Sequence, residues 1–242
     1  MFKKFRSGVK GAKLSDKMFH SHHYLRHNAR RQEHLASLGI PLAGKTVVEV
    51  GAGIGDHSHF FKDRGCSITI TEARSENLHL LNTRYPDNIV EFLDIEHPTP
   101  INGTPFDVVY CYGLLYHLKD PEQALEFLSQ QTKKILLLET CVSFGKGDYQ
   151  NSVTENERDP TQAFSGTGNR PTREWIFKRL QGLFENVYVP KTQPNHEEFP
   201  IDWSAPDKHK NEFQRAVFIA SREVLDNKIL STSMITKQKR HE

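Results

Sequence analysis

The chain has 242 residues, enough for one domain with a substantial core and too few for two full-sized enzymatic domains. Hydrophobic residues at 36%, charged residues at 26% and fifteen Phe exclude a collagen-like, mucin-like or wholly disordered chain. The formal net charge of +2 is unevenly spread: residues 1–17 carry +5 and residues 237–242 carry +2, which leaves 18–236 at −5. An acidic body argues against a surface that tracks phosphates, so nucleic acid is not the expected partner and the basic ends are expected as solvated tails. No apolar run approaches the ~18 residues of a bilayer span. No apolar stretch follows the basic start to form a secretory signal, so the expected location is cytoplasmic. Cys66, Cys111 and Cys141 are odd in number and lack C-x-x-C spacing, which fits reduced thiols.

In chain order, residues 1–17 are expected as a basic tail and 18–43 as an N-terminal helical cap. Met18, Leu25, Ala29 and Leu35 recur at helix-like intervals through 17–38, and Gly39-Ile40-Pro41 stops them. The period then changes. The run 46–50 is short, β-branched and flanked by Gly44 and Gly51, as a strand buried on both faces would be. Similar runs recur at 67–71, 89–93, 107–111 and 134–139, with helix-like stretches at 56–64, 74–84 and 121–130 between them. Asp120 before Pro121 reads as an N-cap. Strand alternating with helix predicts an α/β, Rossmann-like, mostly parallel sheet covered by helices, with ligands at the strand C-terminal ends.

After Glu139 the alternation breaks into a long polar connection, about 141–171, expected to be a lid. A helix at 172–183 and strands at 187–189 and 216–220 follow, the strands parted by an insertion at about 191–214. The domain is expected to run over 44–230, with 231–242 as a C-terminal tail.

Glu49-Val50-Gly51-Ala52-Gly53-Ile54-Gly55-Asp56 ends the first strand and opens a helix. Its glycines let backbone amides approach a ligand closely. The spacing departs from the G-x-G-x-x-G that cradles a pyrophosphate, and Asp56 in the third-glycine place would repel one. A phosphate-free nucleoside fits better, S-adenosylmethionine above all, with Glu49 facing its methionyl amine directly or through water. Glu72, beside Ala73, closes the second strand where an acid accepts hydrogen bonds from ribose hydroxyls. Asp94 closes the third, placed to accept the adenine amino group while Leu93 and Ile95 pack on the ring.

On these residues the sequence resembles the class I S-adenosylmethionine-dependent methyltransferase family over roughly 44–139. The resemblance implies cofactor roles for Glu49, Gly51, Gly53, Gly55, Glu72, Asp94 and the loop Tyr112-Gly113-Leu114-Leu115. It also implies seven strands in the order 3-2-1-4-5-7-6 with the last antiparallel. Tyr112 to His117, with Leu136 to Thr140, is locally similar to the branch that modifies wobble uridine in bacterial tRNA.

Methyl transfer to a hydroxyl requires in-line alignment and removal of a proton. His117 is the candidate to take that proton or position the acceptor, with packing beneath the cofactor as the alternative. Glu139 at the end of strand five is a second candidate. His23, Tyr24 and His27 on the N-terminal helix line an acceptor pocket or form an exposed polar face. Tyr116, Arg170 and Trp175 are candidates to contact the acceptor. No metal site is expected, because no H-E-x-x-H or Cys cluster stands out. The expected activity is methylation of a small polar acceptor, on an oxygen of a sugar, acid or natural product. The alternatives are wobble-uridine modification and a non-catalytic cofactor-binding subunit.

Overall fold

The computed structural model describes residues 2–145, 147–205 and 214–241, with side chains from residue 11 onward. Part of the expected insertion, 206–213, and the side chains of the first ten residues lie outside the described residues.

The N-terminal region is two helices rather than a tail and one helix. Helix α1 (Phe2–Phe19) extends through the basic segment, and α2 (His22–Ser37) starts anew at Ser21, whose side chain accepts from the Tyr24 N–H. Helix α1 packs on a later helix, and Phe19 at its end reaches back over the glycine loop.

The alternating segment follows: β1 (Thr46–Val50), α3 (Ser58–Lys62), β2 (Ser67–Glu72), α4 (Ser75–Arg84), β3 (Ile89–Phe92), β4 (Phe106–Tyr112), α5 (Pro121–Gln131) and β5 (Thr132–Cys141). Asp120 caps α5 by accepting from the Glu122 and Gln123 N–H groups, and Pro121 at the first turn sacrifices no needed donor. Both sheet faces are covered. Val47, Val108 and Tyr110 point toward Leu35, Phe61 and Leu81, while Val48, Val109 and Cys111 point toward Leu125, Leu128 and Ile176. That double burial is why the strands read as continuous apolar runs instead of alternating ones.

Beyond β5 the long connection forms an antiparallel hairpin, β6 (Gln150–Thr154) with β7 (Thr167–Pro171), joined by the loop 155–166. Helix α6 (Arg173–Leu183) is capped by Thr172, whose hydroxyl accepts from the Trp175 N–H. It leads to β8 (Asn186–Pro190), β9 (Thr192–Gln193), β10 (Arg215–Ser221), β11 (Leu230–Ser231) and β12 (Lys239–Arg240).

The main sheet runs β11-β8-β10-β5-β4-β1-β2-β3. Strands β3-β2-β1-β4-β5 are parallel, and β10 is antiparallel to both β5 and β8. This is the expected order with one addition: β11 pairs with the free edge of β8, making eight strands instead of seven. A two-residue strand carries no hydrophobic period, so the sequence pattern gives no sign of it.

The C-terminal residues are not a free tail. Strand β12 pairs with β9, the Trp203 N–H donates to the Thr236 carbonyl, and Arg240 donates to the carbonyls of Pro194, His196 and Phe199. Lys237 and Arg240 read as solvated charge in sequence, yet the Arg240 guanidinium closes three backbone carbonyls that a loop would otherwise leave to water. Among the described residues, no helix is long and apolar enough to cross a membrane.

Candidate active site

The five parallel strands end on one edge of the sheet, and the chain leaves β1 and β4 in opposite directions, which opens a crevice between them. A cleft open to solvent occupies this place, lined by the glycine loop, the acids at the strand ends and the loop after β4.

The floor is the glycine loop. Gly51 has φ +72°, and a Cβ there would stand 2.8 Å from the Leu114 side chain. Gly55 has φ +82°, and its Cβ would meet Tyr85 at 2.5 Å. The loop therefore has two needs for glycine, backbone conformation and close approach. Gly51, Ala52 and Gly53 line the cleft, whereas Gly55 lies behind it against Tyr85 and Leu81.

Three acids stand along this floor. Glu49 is 3% exposed, with the Ser58 hydroxyl donating to it, and burial raises its pKa to about 8. Glu72 accepts from the Gly53 N–H at 2.8 Å and from the Ala73 and Arg74 N–H groups at 2.9 Å each. Burial still outweighs these three bonds and pushes its pKa up. So Glu72 also holds the glycine loop to the end of β2, a role that its position in the sequence does not reveal. Asp94 lines the cleft between Leu93 and Ile95 and accepts from the Glu96 N–H at 3.0 Å. Asp56 is already paired with Arg84 at 2.8 Å.

The donor set fits a zwitterionic nucleoside without phosphates. Buried acids face the cleft, and two polar atoms on its wall, Tyr112 Oη and His57 Nε2, lack a hydrogen-bond partner among the described residues. Buried orphans of this kind mark places where a ligand supplies the missing partner.

At the other end of the cleft stand Tyr24, His27, Arg31, Tyr116, His117 and Arg215. Residues Leu115–His117 form a single 3₁₀ turn after β4, and the β6–β7 hairpin packs on it. Gly168 of β7 makes this fit possible: a Cβ there would stand 2.3 Å from the Tyr116 carbonyl. The hairpin delivers Glu155, whose Oε2 lies 2.5 Å from His117 Nδ1. Burial lowers the His117 pKa, and the Glu155 contact only partly opposes it. Burial pushes the Glu155 carboxyl up, but His117, the Ala163 N–H and Arg170 outweigh that and hold it below the usual range. An ionised Glu155 can only accept, so Nδ1 carries the imidazole proton and Nε2 keeps a lone pair. Arg215 donates to Tyr116 Oη at 3.1 Å, which leaves the phenolic hydrogen free to be donated elsewhere.

Four side chains singled out in the sequence lie elsewhere. Glu139 is fully buried behind the cleft, held by Arg31 at 2.8 Å and Arg215 at 3.1 Å. His23 projects to solvent on α2, with Nε2 3.2 Å from Glu198. Trp175 is in the core, packed on its inner side by α5 and α6 neighbours and covered by Arg179. Arg170 stands on β7 beside Glu155, outside the cleft wall. Sequence reasoning missed Arg31, Glu155 and Arg215. Each is a charged residue in a polar stretch or at a strand start, and only the fold brings it to the site.

The loop 155–166 also reaches the cleft, through Pro160, Thr161, Gln162 and Phe164. Arg74 ties it down, donating to the carbonyls of Glu157 and Gln162 at 3.0 Å and of Ala163 at 3.2 Å.

Sheet order, glycine loop and acids at successive strand ends together define an α/β domain of the class I S-adenosylmethionine-dependent methyltransferase type. A methyltransferase-domain family model matches residues 21–183, about two thirds of the chain, and the chain belongs to that family. It is 34% identical over 117 residues to a tRNA U34 carboxymethyltransferase of Alteromonas mediterranea, covering 43% of this chain and 35% of that protein. It is 30% identical over 108 residues to a ubiquinone biosynthesis O-methyltransferase of Haemophilus ducreyi, covering 41% and 45%. The chain thus spans less than half the length of these curated relatives. Among solved structures, the N-terminal domain of EvdMO1, crystallised in the presence of S-adenosylhomocysteine and D-fucose, superposes with a TM-score of 0.62 at 22% identity. The match covers 81% of this chain and 83% of that one, a likeness of fold.

Replacing Glu139 with Gln leaves two guanidiniums around a buried point with no shared anion. The expected loss is about 3–5 kcal/mol of folding stability, read as a lower urea midpoint with an unchanged slope.

Proposed function

We propose that the protein transfers a methyl group from S-adenosylmethionine to an oxygen of a small polar acceptor, a sugar, hydroxy acid or natural product. The observation that carries this reading is the His117–Glu155 pair. A neutral imidazole with its free nitrogen on the cleft wall, oriented by a buried carboxylate, is the arrangement a hydroxyl acceptor requires. The fold likeness to a domain crystallised with a deoxysugar supports the acceptor class.

The cofactor, when bound, supplies an electrophilic methyl on a sulfonium. The chain's own residues do the rest. Gly51 to Gly53 and Glu72 hold the nucleoside, Asp94 and Ile95 flank its base, and Glu49 faces the methionyl ammonium. Tyr116 and Tyr24 orient the acceptor, His117 Nε2 takes its proton, and the loop 155–166 keeps water out.

A second reading, modification of wobble uridine, is favoured by the 34% identity to the tRNA enzyme. One experiment separates the two: group transfer from labelled S-adenosylmethionine, and from its carboxymethyl-sulfonium analogue, to a panel of sugars and hydroxy acids, and to total tRNA, across a salt series. Salt-insensitive transfer to a small acceptor is expected. Transfer to tRNA alone, falling steeply with salt, would replace the first reading with the second. A protein that binds a pyridine dinucleotide and ignores S-adenosylhomocysteine would end both.

His117→Ala is expected to lower kcat/KM by about 10²–10⁴ while S-adenosylhomocysteine affinity holds. His117 is active in its neutral form, so turnover should fall as pH drops through its lowered pKa. Glu155 is the main group raising that pKa, so Glu155→Gln should move the acid limb to still lower pH and reduce kcat. A hairpin-packing role alone would leave the limb in place.

For Glu49, a ligand ammonium favours the carboxylate, so cofactor binding should release a proton at neutral pH. Affinity for S-adenosylhomocysteine should therefore rise as pH increases toward about 8 and level off above it. The steepest slope is about tenfold per pH unit. Calorimetry across pH would check this, and Glu49→Gln should flatten the curve.

A further inference from the structure

Helix α2 and the segment after β9 meet at the acceptor end of the cleft on a group of side chains that methyl transfer does not use. His27, His196 and Glu198 each place one ligating atom so that all three lie within 4.8 Å of one another. They come from two distant parts of the chain, so no spacing motif marks them and no metal site was expected from the sequence. Both imidazoles are buried, with ring centroids 4.9 Å apart. His27 Nε2 is buried and has no hydrogen-bond partner among the described residues. A buried ring nitrogen without a partner costs about 1–3 kcal/mol, so its retention here asks for a ligand.

The surrounding contacts leave room for one. His27 Nε2 lies 3.7 Å from Glu198 Oε2, close to the ~3.4 Å edge of a tetrahedron with bonds of about 2.1 Å. The N–H donors that approach the His196 ring stand at long range, Glu198 N at 3.3 Å from Nδ1 and Arg26 at 3.5 Å from Nε2, so neither nitrogen is firmly engaged. Nearby cations are already matched: Arg26 pairs with Glu197 at 2.7 and 2.5 Å, and Arg215 with Glu139 and Glu198. The Arg215 Nε contact at 2.6 Å is to that same Glu198 Oε2 and orients it, as charged hydrogen bonds to ligating carboxylates do. Of the three, His27 also lines the cleft, so its side of the group is the one nearest the space beside Tyr24 and Arg215.

We propose that His27, His196 and Glu198 bind a divalent transition-metal ion of the zinc class, facing the acceptor end of the cleft. Two imidazoles with one carboxylate form the nitrogen and oxygen set that zinc-like ions take, whereas magnesium and calcium prefer oxygen alone. Three protein ligands leave a position for an oxygen of the acceptor, which narrows the acceptor to molecules with a hydroxyl or carboxylate able to coordinate. That last clause rests on the reading of oxygen methylation. The metal site itself does not.

The test uses the full chain, stripped of metal by a chelator and titrated with Zn²⁺ by calorimetry and with Co²⁺ by visible absorption, without cofactor or acceptor. One ion per chain is expected, with the absorption of a low-coordinate cobalt site and a rise in Tm on adding Zn²⁺. His196→Ala and Glu198→Gln should each weaken binding tenfold or more, while the exposed-site control His79→Ala should not. Circular dichroism identifies any variant that fails to fold, and the near-isosteric Glu198→Gln then decides. Absence of saturable binding, or binding that survives both variants, overturns the proposal. S-adenosylhomocysteine affinity, measured on the same metal-free samples, reports on the methyltransferase reading separately, so the two can fail independently.

Discussion

A single buried carboxylate, Glu139, ties together the parts that make the site. It sits at the end of β5, fully shielded from water, and its two oxygens hold Arg31 of α2 and Arg215 of β10. Removing one anion and two cations from water is costly, and the geometry offsets that cost only while all three remain. Each guanidinium passes the constraint on. Arg31 donates to Asn28 at 2.5 Å, and Asn28 reaches Asp56 beside the glycine loop. Arg215 holds Glu198 and Tyr116. The helix over the cleft, the Tyr116 wall and the inserted segment are thus positioned from one point on the sheet. An apolar trio of the same volume would pack, but it would not fix where the polar ends of Tyr116 and Glu198 point.

A similar economy links the cofactor floor to the hairpin. Glu72 binds the Arg74 N–H through its carboxylate, and the Arg74 side chain grips three carbonyls of the loop 155–166. The same loop's Ala163 N–H donates to Glu155 at 2.7 Å, and Glu155 orients His117. A ligand that orders Glu72 therefore acts on residues linked by hydrogen bonds to the His117 imidazole. The chain of contacts is continuous and hydrogen-bonded, which is the physical requirement for such coupling.

The parts of the fold that were legible in sequence are those set by local period and local backbone demand. The strand 46–50 appears with the bounds its β-branched run implied, and the break at Gly39 and the cap at Asp120 fall where their chemistry places them. The glycine loop and the acids at 49, 72 and 94 were legible for the same reason, since a strand end is fixed once the strand is. What was not legible is whatever depends on contacts across the chain. Arg31 and Glu139 are 108 residues apart, and Arg215 and Glu139 are 76 apart. Arg31 lies in a run of polar helix residues that reads as an exposed face, and nothing local distinguishes it from Arg30, which is half-buried and pairs with Glu33. Trp175 was misplaced for the opposite reason: Arg170 and Arg173 before it suggested a polar pocket, while Ile176 and Phe177 after it share the core in which its side chain is buried.

Charge placement bears on the acceptor more directly than net charge does. The folded body is acidic, yet the Tyr116 end of the cleft carries Arg31 and Arg215, which suggests at first an anionic substrate. Their charges are already taken: Glu139 bridges both, and Glu198 takes the Nε of Arg215. Coulomb attraction for an incoming phosphate is weak when each cation sits within 3.1 Å of its own carboxylate. What the wall offers instead are directional groups, a phenol whose oxygen is held from behind and an imidazole lone pair at His117. Directional, neutral groups discriminate hydroxyl positions on a polyol far better than they hold a charged polymer, because a missing hydroxyl strands a buried partner while a missing phosphate costs only a screened attraction.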